Sequence, residues 1–393
     1  MIFKKDEKIY MKIVGILTEF NPFHSGHAYF LSEVRRKVGD ECALVCVMSG
    51  NFVQRGEPAC VSKFDRAEAA VRNGADLVLE LPAVYACRSA EQFARGGVLM
   101  LAHTGIVTHL SFGSESGDLR LLTEAASFFS EESAEYKTAL GEGLALGLSF
   151  PAARLRAVKN LPFAPLLQSP NDLLGVEYCK AILQMAPSLI PQPLLRRGCG
   201  HDAPEPTGTV CSASYLRTHS EELELYSPAS HILREGGFPL SSALFGDLLL
   251  AHLRRIVPSE LSQAADCTEG LEYRLKQAAS RAESWEEAVS LAQSKRYPSS
   301  RVRRIALCSY LNIKKQEYPP EYLRVLAANR CGAALLRQMK KTASLPVITN
   351  LSKQQINSQA LSIDVAAGDF YALLQQKNRR GGMDYTVSPR FVE

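Results

Sequence analysis

The sequence predicts an α/β fold, in which a doubly wound parallel β-sheet is followed by a mainly helical region. Two observations support this prediction. In the first half, short apolar runs alternate with stretches of helical spacing, whereas beyond about residue 240 helical spacing dominates. Strands that alternate with helices at this spacing form right-handed βαβ crossovers and a parallel sheet covered on both faces.

The predicted elements follow one another along the chain. Residues 12–17, 43–48, 76–81 and 108–113 are predicted as strands, and residues 28–38, 64–73 and 90–103 as the helices between them. Residues 118–185 are predicted to be mainly helical, and residues 192–197 to form one more strand. In the second half, residues 248–255, 270–282 and 285–293 show helical spacing, whereas the pattern from residue 345 onward is mixed.

The composition excludes several classes of protein. The chain has 393 residues, of which 46% are hydrophobic and 22% charged, so a disordered chain is excluded. The net charge of +4 is too small to indicate nucleic-acid binding by itself. The ten cysteines include no C-x-x-C pair, the N-terminus is too polar for a signal peptide, and no run of about 18 apolar residues occurs. We therefore expect reduced cysteines, a cytoplasmic location and no membrane segment.

The segment His24-Ser-Gly-His27 is the most informative motif. It lies just after a predicted strand and at the start of a predicted helix, where free backbone N–H groups can bind phosphate. Two imidazoles on this first turn can donate to phosphate oxygens, and Gly26 leaves room for a nucleotide. Two alternatives remain: half of a metal site, or ordinary turn and capping residues. No third metal ligand is evident, so we predict no metal site of the protein's own. Neither a Walker-type loop nor a strand-following G-x-G-x-x-G occurs.

The strand, loop and helix around this motif resemble the signature of the HIGH-motif nucleotidyltransferase superfamily, which has a Rossmann-like catalytic domain. Such enzymes carry a second motif that ends in Arg at a helix start. Ser212-Ala-Ser-Tyr-Leu-Arg217 fits that motif: Ser212 or Ser214 can cap the helix, and Arg217 can reach the β- and γ-phosphates of ATP. The resemblance implies catalytic roles for His24, His27 and Arg217.

Further segments narrow the resemblance. They include Met48-Ser-Gly-Asn-Phe-Val-Gln-Arg-Gly-Glu-Pro58, Leu79-Glu-Leu-Pro82, Ser111-Phe-Gly-Ser-Glu115 and Ser169-Pro-Asn171. With these, the chain resembles the bacterial tRNA(Met) cytidine acetate ligases. The resemblance implies that ATP and acetate, aided by Mg²⁺, form acetyl-adenylate, and that the acetyl group passes to N4 of the wobble cytidine of elongator tRNA(Met). It also implies ATP contacts at Leu17, Thr18, Glu19, Asn21, Phe23, His24, Gly26, His27, Phe30, Gly113, Asn171, Arg196, Arg197 and Ser212.

A basic segment in the second half is a candidate surface for tRNA. Residues 293–304 hold several cations and no acidic residue, and Tyr297 among them could stack on a base. A solvated helix face is the alternative interpretation. Next to an ATP site of this class, contacts with tRNA phosphates are the better interpretation. We expect these residues to lie in a helical region separate from the loop that contains His24 and His27. The predicted tRNA contacts are Arg274, Lys295, Arg296, Tyr297, Arg301, Arg303 and Arg304.

We accordingly divide the chain into a disordered extension (residues 1–10), a nucleotidyltransferase-like ATP-binding domain (11–235) and a mainly helical region with the tRNA surface (236–393). No stable protein partner is implied. Three alternative functions remain open: a carboxylate adenylate-forming ligase with a non-RNA acceptor, a simple nucleotidyltransferase, and a non-catalytic ATP- or tRNA-binding protein. The presence of both motif histidines and of Arg217 argues against the last of these functions.

Overall fold

The fold is built around one eight-stranded sheet, seen in a computed structural model that describes residues 12–39, 41–196, 205–206, 211–240, 243–268, 270–354, 356–377 and 379–393. The strands in the part of the chain that the structure describes are β1 Ile13–Thr18, β2 Ala43–Ser49, β3 Phe52–Val53, β4 Glu57–Pro58, β5 Leu77–Leu81, β6 His109–Ser114, β7 Ile190–Leu195, β8 Leu323–Ala328, β9 Val347–Ile348 and β10 Arg390–Phe391.

Helices cover both faces of the sheet. In the first half they are α1 Ser25–Val38, α2 Lys63–Arg72, α3 Ala83–Ala86, α4 Ala90–His103, α5 Leu119–Ser130, α6 Ala134–Ala145, α7 Phe150–Ala157 and α8 Pro170–Met185. They continue with α9 Ala213–Thr218, α10 Leu223–Tyr226, α11 Ser230–Glu235, α12 Ala243–Arg255, α13 Pro258–Leu261, α14 Leu271–Arg281, α15 Trp285–Ala292, α16 Ser299–Tyr310, α17 Arg330–Thr342, α18 Gln359–Leu374 and α19 Met383–Thr386. Short 3₁₀ turns lie at Ala164–Gln168, Ser220–Glu222 and Leu351–Lys353.

The sheet confirms the predicted parallel, doubly wound arrangement. Its order is β10-β8-β5-β2-β1-β6-β7, and β5, β2, β1, β6 and β7 pair in parallel. Every residue of β2 is buried, as expected for a central strand with helices on both faces. Alternate residues of β1 enter opposite cores: Ile13 belongs to the core that includes α4, and Val14 to the core that includes α1 and α2.

The second half does more than add helices. Strand β8 pairs antiparallel with β5 and lies inside the main sheet, and β9 and β10 pair with β8. Residues beyond 235 therefore contribute strands as well as helices to the fold. Residues from 345 onward, whose pattern is mixed, form β9, α18, α19 and β10.

A network of buried charges joins these parts. Lys63 Nζ lies 2.6 Å from Glu80 Oε1 and 2.7 Å from Asp384 Oδ1. Arg324 Nη1 lies 2.8 Å from the same Asp384 oxygen and 3.4 Å from Glu80 Oε2. None of the four side chains is more than 4% exposed. The network therefore ties α2, β5, β8 and α19 together in a region of low dielectric constant, where an unpaired charge is costly.

A fifth buried group, Asp364 on α18, extends this network. Its carboxylate accepts hydrogen bonds from the Ala83 amide, at 2.7 Å, and from the Tyr322 hydroxyl. Burial, reinforced by the nearby Glu80 carboxylate, raises the pKa of Asp364 to about 7. Helix α18 is thereby tied to α3 and to the residue that precedes β8.

Among the described residues, none of the helices combines the length and the apolar character that crossing a bilayer requires.

The charge network predicts a specific effect on stability. Replacing Lys63 with Met leaves two buried carboxylates, Glu80 and Asp384, with only Arg324 to offset them. We expect the free energy of unfolding to fall by about 3–5 kcal/mol, the cost typical of breaking a buried ion pair. Chemical denaturation followed by circular dichroism measures this change.

The matched control is Arg72→Met, which breaks the exposed pair between Arg72 and Glu68 on the same helix. That change should cost less than about 1 kcal/mol. Equal effects of the two substitutions would contradict the role assigned to the network.

Candidate active site

The candidate site lies where the winding of the sheet reverses. The chain leaves β1 for β2 and β5 on one side and returns to β6 on the other, so the carboxyl ends of β1 and β6 border the switch point. In doubly wound sheets, ligands bind in the crevice at this position. Residues 19–24 run directly from β1 into α1 and form the rim of this crevice; we call them the nucleotide loop.

The two histidines of the motif form a compact pair at the start of α1. His24 Nδ1 accepts a hydrogen bond from the Gly26 amide at 3.1 Å, and His27 Nδ1 accepts one from the His24 amide at 3.3 Å. The ring centroids are 3.8 Å apart. A ring whose Nδ1 accepts a hydrogen bond carries its proton on Nε2 when neutral, so each ring can donate from Nε2. His24 therefore caps α1, and this hydrogen bond fixes the orientation of its ring.

Side chains from other elements hold the nucleotide loop in place. Arg66 is fully buried and donates to the carbonyl oxygens of Glu19, at 2.6 Å, and of Ser49, at 3.1 Å. Asn21 Oδ1 accepts from the Cys60 amide at 2.7 Å, and Ser227 Oγ donates to the Phe23 carbonyl at 2.7 Å. The side chains of Asn21 and Phe23, predicted to contact ATP, are buried and shape the loop from behind.

The second motif meets the first. Ser212 is the N-cap of α9, and its Oγ accepts from the Tyr215 amide at 3.0 Å, as predicted. Arg217 Nη1 donates to the Asn21 carbonyl at 2.7 Å, and Nη2 donates to Ser214 Oγ at 3.0 Å. Arg217 and Asn21, which are 196 residues apart in the sequence, are thus in contact at the nucleotide loop. The arginine is therefore held against Asn21, in the loop that leads into the histidine pair.

The other predicted nucleotide contacts surround the crevice. Arg196 follows β7, and its Cγ lies 3.1 Å from where a side chain on Gly113 would begin, so glycine leaves room for the arginine. Asn171 Nδ2 donates to Glu115 Oε1 at 2.5 Å, and the Asp172 amide donates to Glu115 Oε2 at 2.8 Å. Glu115, which the sequence analysis did not select, therefore caps the start of α8 and orients Asn171.

The remaining members of the predicted set lie on β1 and α1. Leu17 and Thr18 end β1, Leu17 packs against the α4 core, and Phe30 packs against the α1 core. The amide of Gly26 is already engaged by His24. Arg197 lies outside the described residues.

Glu19 links the nucleotide loop to a hairpin that the sequence analysis did not connect with it. Glu19 Oε1 accepts from the Gln54 amide, at 2.8 Å, in the turn between β3 and β4. Burial raises the pKa of Glu19, and this hydrogen bond and the guanidinium groups of Arg217, Arg66 and Arg55 act in the opposite direction. The hairpin lies within residues 48–58, one of the segments on which the family resemblance is based.

The hairpin rests on the basic segment. Gly56 has a φ of +75°, and a side chain there would begin 2.6 Å from the Arg303 carbonyl carbon, so only glycine fits between hairpin and α16. Glu57 Oε1 also lies 3.7 Å from Arg303 Nε. The expectation that the basic segment lies in a region separate from the nucleotide loop is wrong, because β3 and β4 join them.

The basic segment itself divides into structural and surface side chains. Tyr297 is only 8% exposed, so its ring packs in the core and cannot stack on a base; that prediction is wrong. Arg274 donates to the carbonyls of Ala292 and Gln293, at 2.5 and 2.9 Å, and so caps the end of α15. Lys295 and Arg296, by contrast, are exposed.

Two arginines of α16 are hydrogen-bonded to the protein, and the third is largely buried. Arg301 donates to Thr268 Oγ1 at 2.5 Å, and Arg303 donates to Glu286 Oε1 at 3.0 Å. Burial lowers the pKa of Arg304, whose side chain points inward. A dense run of cations in the sequence therefore leaves fewer of them for an external partner, since several satisfy carbonyls and carboxylates.

Known proteins are similar to this chain in both sequence and fold. Residues 11–384 match the model of the HIGH Nucleotidyl Transferase family. The chain belongs to this family. The resemblance predicted from the sequence is thereby confirmed, and so is the fold class.

The similar proteins extend over nearly the whole chain. The tRNA(Met) cytidine acetate ligase of Thermoanaerobacter sp. is 38% identical over 95% of this chain and 98% of its own length. That of Halothermothrix orenii is 35% identical over 96% and 99%. Two crystal structures of Thermotoga maritima TmcAL are 34% identical and cover 97% of this chain and 100% of their own. The apo form superposes with a TM-score of 0.91, and the form bound with alpha-thio ATP with 0.89.

The position of Arg217 gives a binding prediction. Arg217→Met removes a charge held against the nucleotide loop, and hydrogen bonds to charged groups are worth about 1.5–3 kcal/mol. We therefore expect the affinity for ATP to fall by about 10- to 100-fold, measured by isothermal titration calorimetry. Arg234→Met is the control, because Arg234 pairs with Glu224 on the neighbouring α10. Unchanged ATP affinity in Arg217→Met would remove Arg217 from the site.

Proposed function

We propose that the protein is an ATP-dependent tRNA(Met) cytidine acetate ligase, which activates acetate as acetyl-adenylate and transfers the acetyl group to N4 of the wobble cytidine of elongator tRNA(Met). The observation that supports this most directly is the meeting of His24, His27 and Arg217 at the switch point of the sheet. The names of the near-full-length relatives support the choice of acid and acceptor.

The chemistry explains why such a site needs donors and not a nucleophile. Acetate does not react with amines, and the lone pair on N4 of cytosine is delocalised into the ring. When acetate attacks the α-phosphate of ATP, negative charge grows on the phosphate oxygens and on the departing pyrophosphate. Two Nε2–H donors and the Arg217 guanidinium stabilise that charge, since the Gly26 amide is engaged within the helix cap. Arg196 and Asn171, on the other wall of the crevice, orient the rest of the nucleotide.

The cysteines have no part in this scheme. The cysteines within the described ranges are unpaired in disulfides, and most are buried. Burial raises the pKa of the Cys60 thiol, near the nucleotide loop, to about 12, so the reactive thiolate is scarce at neutral pH. Reduced thiols fit the cytoplasmic location that we propose.

Magnesium enters the proposal with the nucleotide. Among the residues that the structure describes, no three His, Cys, Asp or Glu side chains converge to hold a metal ion. Mg²⁺ commonly binds ATP through the phosphate oxygens and needs few protein ligands. When bound in this way, it would offset phosphate charge, and the steps assigned to the protein's residues do not depend on it.

The acceptor is proposed to approach over the hairpin. Lys295 and Arg296 are exposed next to α16, and the hairpin leads from α16 to Glu19 in the nucleotide loop. RNA phosphates held at this surface would bring a single-stranded base towards the crevice, because the hairpin spans the space between them. Arg301, Arg303 and Arg304 would contribute mainly by positioning α16.

One experiment separates the alternatives. The protein is incubated with labelled acetate, ATP and total tRNA, and pyrophosphate release and acetylated RNA are both measured. We expect acetate-dependent pyrophosphate release, and acetylated tRNA that requires ATP and not acetyl-coenzyme A. Pyrophosphate release without RNA labelling would favour a non-RNA acceptor, whereas an adenylylated metabolite would favour simple nucleotidyl transfer. Neither product would indicate a non-catalytic binding protein.

The histidine pair should control the first step. His24→Ala and His27→Ala each remove a donor to the developing charge, so we expect acetate-dependent pyrophosphate release to slow by about 10²-fold or more. His231→Ala, in an exposed position on α11, should leave the rate unchanged. Thermal unfolding of each variant shows whether the fold survives the loss of the helix cap. Near-normal rates in a folded His24→Ala, His27→Ala double variant would contradict the assignment.

The exposed cations should determine the salt dependence of tRNA binding. Each lost phosphate contact reduces the magnitude of the slope of log K against log salt by roughly 0.7 to 0.9. The double variant Lys295→Gln, Arg296→Gln should therefore bind tRNA more weakly and with a flatter slope. The control variant Lys137→Gln, Lys159→Gln removes the same charge from an exposed region near α6 and α7. Identical slopes in the two variants would place the tRNA surface elsewhere.

A further inference from the structure

The carboxylate of Glu19 accepts hydrogen bonds from the described residues on one of its two oxygens. Glu19 lies in the nucleotide loop, immediately after β1 and five residues before His24. Its Oε1 accepts from the Gln54 amide at 2.8 Å, while no described residue donates a hydrogen bond to Oε2. Glu19 as a whole is half-buried.

The position of Glu19 is at the junction of the two substrates. On one side are His24, His27 and Arg217, which we assign to the nucleotide. On the other side is the hairpin, which rests on α16 and leads to the exposed cations. A base that reaches acetyl-adenylate from the RNA surface would have to pass this carboxylate, because Gln54 in the turn of the hairpin is hydrogen-bonded to it.

We propose that Glu19 is the proton acceptor for the N4 amine in the acetyl-transfer step. This inference rests on the proposed function and assigns a group to its second half-reaction. N4 of the cytosine attacks the acetyl carbon, and a C–N bond forms. The bond from that carbon to the phosphate oxygen breaks, and its electron pair leaves with AMP. The N4 proton passes to Oε2 of Glu19 and from there to solvent.

The surroundings of Glu19 suit this role. Burial raises the pKa of Glu19, which makes the carboxylate a better base than one in water. Arg217 on α9, Arg66 on α2 and Arg55 on the hairpin act in the opposite direction and lower the pKa of Glu19, although burial has the larger effect. In addition to burial, the charge of Glu19 raises the pKa values of Tyr178 on α8 and of Cys87 after α3. Both of these groups are neutral near pH 7, since burial raises their pKa values.

The test separates a proton acceptor from a structural tether. Glu19→Gln keeps an oxygen that can accept from the Gln54 amide but loses the basic group, whereas Glu19→Ala loses both. Adenylate formation is measured as acetate-dependent ATP–pyrophosphate exchange. Transfer is measured in a single turnover, by mixing enzyme that carries preformed acetyl-adenylate with tRNA(Met). The pH dependence of transfer is recorded for each protein.

A general base typically contributes about 10²- to 10⁴-fold, so we expect transfer by Glu19→Gln to fall at least 30-fold more than exchange does. Transfer by the wild type should rise with pH as the carboxylate ionises, above the ordinary range for Glu because its pKa is raised; this acid limb should vanish in Glu19→Gln. Glu124→Gln, an exposed carboxylate on α5, should behave as wild type.

Other outcomes overturn the inference. If Glu19→Gln matches the wild type while Glu19→Ala loses both half-reactions, Glu19 is only a tether. An equal loss of exchange and transfer in Glu19→Gln, or an acid limb that persists, would equally reject a proton acceptor. The proposed function is tested separately, because absence of acetate-dependent exchange or of tRNA acetylation in the wild type would reject it without reference to Glu19.

Discussion

The buried charge network at the start of α2 is the constraint on which the rest of the structure depends. Lys63 is paired with Glu80 and Asp384, and Arg66, one turn later, is hydrogen-bonded to the loops that follow β1 and β2. Because neither cation can be left unpaired in the interior, α2 has one allowed position relative to β5, β8 and α19. The nucleotide loop takes its position from Arg66, so the geometry of the crevice follows from charges that never meet the substrate.

Local sequence patterns predicted most of the first half. Strands β2 and β5 are fully buried apolar runs, β1 is mostly buried, and α1, α2 and α4 have clear helical spacing, so period and burial agree. Both motifs could be recognised from the local sequence, because each has a residue pattern typical of a helix N-terminus. His24 caps α1, and Ser212 caps α9. What joins the motifs, the Arg217 contact with the nucleotide loop, required a resemblance to known proteins and not a pattern.

Partners distant in sequence account for what was missed. Lys63 and Arg66 are polar residues at the start of a helix, yet both are buried, because Asp384 and the carbonyls that pair with them lie on other elements. Strand β8 is a short apolar run that contains Arg324, and its period alone cannot distinguish strand from helix. The arginines of α16 were grouped by their proximity in sequence, whereas their destinations, Thr268 and Glu286, are set by the fold.

The late part of the chain also determines how the early part can fold. Tyr371 on α18 donates to the Ala59 carbonyl across a sequence separation of 312 residues, and β8 covers the edge of β5. Contacts this distant in sequence form slowly, because a very large loop must close first. During synthesis on the ribosome, the nascent sheet therefore waits with β5 as an open edge and with Lys63 and Glu80 still hydrated. An open edge strand is a site of intermolecular pairing, so a chain that stops at residue 235 should be prone to aggregation and a substrate for chaperones and proteases.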